Sequence, residues 1–262
     1  MIEFEIPKRI MSKENLLIFD MARDFRIVME KSCITIELMD YGKVISAWFR
    51  FNILNDVGVK TVAWFTSDDF TKTLAKHKKA DKTNISYDEH NRKLFFKSKG
   101  INHDISAVTP DEYHAFTQFD GEMVENDIYN MYKSIRDQCE IDVKIKCDST
   151  EWLKEIAEDA LTYDERINIK MGLNVSAIAS KGSMEINIKE AYSQLEIIGD
   201  LHNNKTYFSN RMLILASKLD LDEYHVDFGT EKPIQIWGKS EDAFTAWICV
   251  APCSEDDNIG GV

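Results

Sequence analysis

The chain has 262 residues, 44% of them apolar, and a formal net charge of −13. Such a length and apolar content can bury one large core or two ordinary ones, which excludes disorder for most of the chain. The charge excludes a protein that grips nucleic acid with its whole surface, so any phosphate contact has to come from a locally basic patch. No apolar run approaches the roughly 20 residues of a membrane-spanning helix. The N-terminus, with Glu3 and Glu5, lacks a basic region followed by an apolar stretch, so an intracellular protein with no membrane partner is expected. Cys33, Cys139, Cys147, Cys249 and Cys253 are odd in number, scattered and without a CxxC pair, and are expected to be reduced thiols.

In chain order, Leu16, Phe19 and Ala22 follow Ser12 at helical spacing, with Ser12 as N-cap. The run CITIELMD alternates apolar and polar residues, the pattern of a strand with one buried face. Phe70 and Leu74 after Thr66 and Ser67 predict a second helix, and RKLFFK and NHDISAV predict further strands. Residues 118–139 pass from an acidic stretch into IYNMYKSI and read as an interdomain connector. Beyond it Ile141, Val143, Ile145 and Cys147 alternate with charged residues. Trp152, Leu153, Ile156, Ala157, Ala160 and Leu161 then form a wide apolar helical stripe, with Asp148 and Glu151 spaced as a capping box. INIKM, MEINI and HVDFG are strand runs, and Met212, Leu213, Ala216 and Leu219 after Ser209 predict a fourth helix. The order strand, helix, strands, helix, strands thus occurs twice, an architectural duplication.

At this point the residues resemble the proliferating cell nuclear antigen (PCNA) family of DNA sliding clamps. The segments that carry the resemblance are ITIELMDYGKVISAWFRF, DDFTKTLAKHKKADKTNISYDEHNRKLFFKSKG, the run from Glu140 through MEINI, and VDFGTEKPIQIWGKSEDAFTAWICVAPC. No single motif decides it; the order and spacing over most of the chain do. The resemblance implies an α+β DNA-clamp fold of two similar domains, each with antiparallel sheets outside and two helices inside, assembling into a pseudo-sixfold ring. The expected divisions are an N-terminal clamp domain at 1–117, the connector at 118–139, a C-terminal clamp domain at 140–253 and an acidic flexible tail at 254–262.

The resemblance further implies a processivity factor that encircles duplex DNA without regard to sequence. Its expected partners are other clamp subunits in a trimer, a clamp loader, and a DNA polymerase, a flap nuclease and a ligase bound through short peptides. No cofactor, metal or catalytic residue is implied. DNA would face Lys13, Lys72, Lys76, Lys79, Arg211 and Lys218 on helix faces opposite the apolar stripes. By residue type alone, lysines there read as solvating groups, and it is the resemblance that turns them toward DNA. The third helix departs from the pattern, because Lys154 is outnumbered by Glu151, Glu155, Glu158 and Asp159. The client-peptide pocket would comprise Met39, Val44, Pro233, Val250, Ala251 and Pro252, with Ile128, Met131 and Ile135 from the connector. Subunits would join by edge-strand pairing of Ile105, Ala107 and Val108 with Met184, Ile186 and Ile188 of the next chain.

Enzyme signatures are weak. The chain has no P-loop, HExxH, GxSxG or glycine-rich dinucleotide fingerprint. The tetrapeptide DEYH occurs twice, at Asp111 to His114 and Asp222 to His225, and mixes carboxylate with imidazole, but the copies fall at different points of the duplication and read as coincidence. The cysteine spacings lack a zinc knuckle. Three other readings stand beside the clamp: a clamp-like subunit of a heterotrimeric checkpoint or transcription complex, a monomeric polymerase accessory protein, and a metal-dependent enzyme built on DEYH.

Overall fold

The structure is a computed structural model that describes residues 1–40, 42, 44–80, 82–109, 141, 143–162, 166–171, 175–179, 194–197, 206–241 and 244–253. Its strands and four α-helices fall into two compact units, Met1–Ile135 with Ser240–Ala246 and Arg136–Lys239 with Trp247–Val262. The fold is α+β, and every described strand pairing is antiparallel.

In the first unit the order is β1 (Ile2–Glu5), α1 (Lys13–Phe19), β2 (Asp24–Met39), β3 (Ile45–Thr66), α2 (Ser67–His77), β4 (Asn84–Asp88), β5 (Lys93–Ser98) and β6 (Ile101–Ser106). A short 3-10 turn, Lys8–Met11, precedes α1. The Ser12 side chain accepts from the Asn15 N–H and caps α1 as its position predicts, but the helix ends at Phe19, leaving Ala22 and Arg23 in the following turn. Thr66 flanks α2, where its hydroxyl bonds the Asp69 carboxylate at 2.7 Å. Phe70, Leu74 and His77, at i, i+4 and i+7, form the buried face of α2. Rings converge there: Phe70 lies 5.2 Å from Phe19, 4.7 Å from Phe25 and 5.9 Å from Phe96.

Strands β1, β4, β5 and β6 form one sheet in the order β1-β4-β5-β6, so β6 is a terminal strand. Strands β2 and β3 pair along their length, with register shifts between Met29 and Cys33. Arg26 and Glu37 would stand roughly 36 Å apart on a straight strand, yet the Arg26 Nε donates to the Glu37 carboxylate. The strand must therefore bend sharply at those shifts. The pair is fully enclosed, at 3% and 0% side-chain exposure, and the guanidinium lies 5.7 Å from the Trp64 ring. Just outside, Arg50 and Lys60 flank Glu30 at 3.7 and 4.0 Å.

The second unit repeats the series: β7 (Val143–Cys147), α3 (Glu151–Leu161), β8 (Arg166–Met171), β9 (Val175–Ala179), β10 (Gln194–Ile197), β11 (Tyr207–Ser209), α4 (Asn210–Ala216), β12 (Glu223–Phe228) and β13 (Ile234–Ser240). Here β10, β7, β12 and β13 lie side by side, and β11, β8 and β9 form a separate sheet. The last strand, β14 (Phe244–Val250), gives its first three residues to the first unit, where Phe244 packs 6.3 Å from Phe49, and the rest to the second, where Trp247 donates to Gln235. The capping box predicted from Asp148 does not form. Thr150 flanks α3, the Ser149 hydroxyl takes the Glu151 N–H, and Asp148 is exposed. The Thr150 hydroxyl instead donates to the Ser217 carbonyl at 2.9 Å and ties the start of α3 to the end of α4. Leu219 and Lys218 follow α4 and are not within it. Gly238 faces the Glu223 carbonyl so closely that an added Cβ would sit 1.8 Å from it, which reserves that position for glycine.

The end of α2 is fastened to the terminal strand by imidazoles. His77, wholly buried, makes a 2.6 Å bond from Nδ1 to the Ser98 hydroxyl and a 3.0 Å bond from Nε2 to His103 Nδ1 on β6. Burial, then the neighbouring His103 and Lys76, hold the His77 pKa below 6.5. An unfolded chain takes up this proton near 6.5 while the folded one resists it, so the contribution is intact above about 6.5 and stability falls as pH drops below it.

Two outcomes follow for urea unfolding. Glu37→Ala strands the Arg26 guanidinium and should cost about 3–5 kcal/mol, whereas Arg26→Met with Glu37→Leu should recover most of it; a cost below about 1 kcal/mol for the single change would remove the ion pair from the account of the bend. Between about pH 7.5 and about pH 5.5 the wild type should lose more stability than His77→Gln does, and equal losses would contradict the assignment of His77.

Candidate nucleic-acid interface

Lys13, Lys72, Lys76 and Lys79 are all exposed on the first unit, and Arg211 on the second; Lys218 is half-buried. Lys72 and Lys76 lie one turn apart on α2, opposite its buried phenylalanine face. They are not equivalent. Lys72 bonds the Asp68 carboxylate one turn earlier, and that bond and charge raise its pKa, so part of its charge is already answered. Lys76 stands in the last turn, beyond the reach of Asp68 and Asp69 at the other end. Acids in the first turn and bases in the last also complement the helix dipole, worth about 0.3–1 kcal/mol each, so these lysines have a structural reason as well.

The sequence reading named Lys13 and Lys79 but missed Lys8 and Arg9, and with them the depression where these charges gather. The 3-10 turn before α1 brings Lys8 and Arg9 beside Lys13, Lys78 and Lys79, and the five cations line an open depression of about 520 Å³ with Met11 and Ser12. Among the described residues no carboxylate lines it. Its residues come from two segments some seventy positions apart, and the signal that could have found half of it was the Lys8-Arg9 pair just before the Ser12 cap.

On the second unit the arrangement is opposite in sign. Glu151, Glu155, Glu158 and Asp159 are exposed along α3, and Lys154 is bound to Glu151 at 2.5 Å. Glu158 and Asp159 occupy the last turn, where the helix dipole disfavours negative charge by about 0.3–1 kcal/mol each. Lys154, one turn before Glu158, offsets this for that residue alone.

The other expected sites are placed as follows. Met39 and Val250 are buried, at 3% and 1% exposure, and offer nothing to a ligand in this conformation. Val44, Pro233 and Ala251 are half-buried and Pro252 is exposed. Beside Met39 the Asp40 carboxylate accepts N–H groups of Ile45, at 2.8 Å, and Gly42, which closes the β2–β3 turn; burial nonetheless holds its pKa above the usual carboxylate value. Ile128, Met131 and Ile135 lie outside the described residues, as do Met184, Ile186 and Ile188. On the first unit Ile105 is buried at 8%. Val108 is already engaged, its N–H with the Trp64 carbonyl and its carbonyl with Arg92, and the Ala107 N–H goes to the Arg92 carbonyl. Among the described residues no strand pairs with the outer edge of β6, Ile101–Ser106.

The second DEYH copy is sheet surface. His225 stacks on Trp237 at 4.0 Å and bonds Glu223, Glu223 pairs with Lys146, and Trp237 donates to Asp227. Lys146 first, then His225, hold the Glu223 carboxyl below its usual pKa. The first copy and Cys139 lie outside the described residues, and among the described residues no group of three His, Cys, Asp or Glu side chains is placed to hold a metal.

Sequence comparison matches no protein-family model and no curated protein. Structure comparison does match. The PCNA of Thermococcus kodakaraensis superposes with a TM-score of 0.71 at 15% identity, covering 96% of this chain and 99% of that one. The PCNA of A. fulgidus, solved with the C-terminal region of FEN-1 bound, gives 0.70 at 14% identity over 98% and 100%. At that identity the likeness speaks for architecture, and nearly the whole of each chain takes part. The protein has a PCNA-like clamp fold.

Proposed function

We propose that the protein is a subunit of a sliding clamp: a processivity factor that closes around duplex DNA with other clamp subunits and tethers replication and repair enzymes. The observation that carries this reading is the clamp fold over nearly the whole chain. The five-cation depression on a surface of otherwise negative balance supports it. A closed ring is held by topology, so its contacts with phosphate can be weak and independent of sequence, and weak contacts permit sliding. No bond chemistry is required of the chain.

The joint between subunits is the outer edge of β6, which no described strand covers and which can accept a strand from a neighbour. Client peptides of polymerase, flap nuclease and ligase dock by apolar anchors against Val44, Pro233, Ala251 and Pro252, completed by Ile128, Met131 and Ile135. The A. fulgidus PCNA bound to a FEN-1 C-terminal region supports a flap nuclease among these clients. A clamp loader opens and places the ring. The acidic face of α3 favours one variation, a ring shared with more basic paralogous subunits.

Light scattering after gel filtration should give three times the mass of the chain, alone or with paralogues. A monomer under every combination would contradict the reading. Lys72→Glu with Lys76→Glu should impair polymerase stimulation without changing that mass, and the Lys76 change should account for the greater part because Lys72 is already bound to Asp68. Unchanged stimulation would take both off the DNA face. Replacing Ala251 and Pro252 by glutamate should abolish capture of a flap-nuclease tail peptide; retained affinity would place the peptide site elsewhere.

A further inference from the structure

We propose that contact with the DNA backbone is one-sided within each chain. The depression lined by Lys8, Arg9, Lys13, Lys78 and Lys79 on the first unit is the phosphate seat, and the carboxylate face of α3 keeps the second unit off the backbone. The inference rests on the clamp reading above and specifies which part of the chain meets the duplex.

Three observations carry it. First, among the described residues the seat is a concave site without a lining carboxylate, and Lys8, Lys13, Lys78 and Lys79 make no ion pair with a described residue, so their ammonium groups are available to an anion. Second, α3 presents four exposed carboxylates against one ammonium, and that ammonium is bound to Glu151. Third, Glu158 and Asp159 stand in the last turn of α3, against the helix dipole, and only Glu158 has a lysine, Lys154, one turn back to offset this. The acids of α3 repel phosphate passing their own face, and the cations of the seat attract it. Both effects are electrostatic, so added salt weakens each of them.

One consequence distinguishes this arrangement from a uniformly basic lining. Binding should depend on salt through the cations of the first unit alone, and removing negative charge from α3 should add affinity where removing positive charge from α4 subtracts little.

The test measures affinity of the full-length assembled protein for a short duplex as a function of salt, in three variants whose melting temperature and solution mass match the wild type. Lys8→Gln, Lys13→Gln, Lys78→Gln and Lys79→Gln together should lower the slope of log K against log salt by about 0.9 for each phosphate that is no longer neutralised. Arg211→Gln with Lys218→Gln should leave the slope within error of wild type. Glu155→Gln, Glu158→Gln and Asp159→Asn together should tighten binding severalfold at low salt, an effect that high salt abolishes. A slope that falls as much for the α4 variant as for the seat variant would overturn the proposal, as would an α3 variant that binds no tighter. Wild-type protein that assembles and stays on end-blocked DNA, with a slope the seat variant leaves unaltered, would sink this inference and leave the clamp reading standing; wild-type protein that neither assembles nor holds duplex would sink both.

Discussion

A chain with 45 acidic and 32 basic side chains can meet a polyanion only where its cations are gathered and its carboxylates turned away. The contact with DNA proposed above is subject to that constraint. In the first unit the gathering is done by backbone geometry: a 3-10 turn ahead of α1 and the turn after α2 bring Lys8, Arg9, Lys13, Lys78 and Lys79 around one depression. Strong affinity is not needed from so small a patch if the protein is retained by being threaded, and modest affinity is what sliding requires.

The patch is only as well placed as the core beneath it. Phe19 of α1 and Phe70 of α2 touch each other and share Phe25 and the sheet rings, so the two helices that the cation-bearing turns adjoin are set by one aromatic cluster. The enclosed Arg26–Glu37 pair spans the bend of β2, the strand that also carries Phe25. A buried ion pair is a poor source of stability but a specific one, since no other register of the strand brings these two groups together. His77 ties the end of α2 to β6, the strand proposed as the subunit joint, so the basic helix end and the joint share one buried hydrogen-bonded unit.

Much of the fold could be read from the sequence, because period-two alternation and helical stripes report burial directly. CITIELMD, RKLFFK and HVDFG are strands, and all four helices exist where the apolar spacing places them. The ends were less legible. Asp148 has the spacing of a capping residue, but Thr150 is held by the Ser217 carbonyl some sixty residues on, and such a tertiary bond outweighs a local preference. The bend in β2 was not legible either, since Arg26 and Glu37 are ordinary surface residues by type and become a buried pair only once the strand turns. For the candidate site, exposure of Lys13, Lys72, Lys76, Lys79 and Arg211 followed from their positions opposite apolar faces. The seat did not, because it depends on Lys8 and Arg9 in a 3-10 turn that has no periodic signature. Met39 and Val250 show the opposite limit: residue type marks them as apolar, and only the structure tells a packed core position from a surface that a peptide could touch.

The most direct measurement of the central claim uses a linear duplex carrying biotin at both ends. The assembled protein is first allowed to thread onto it, streptavidin is then added to block the ends or withheld, and the complex is washed in salt high enough to abolish phosphate contact. Retention on blocked DNA with rapid loss from open DNA is the result expected of a ring. Equal rates of loss from the two would mean that the protein holds the duplex by its charges alone.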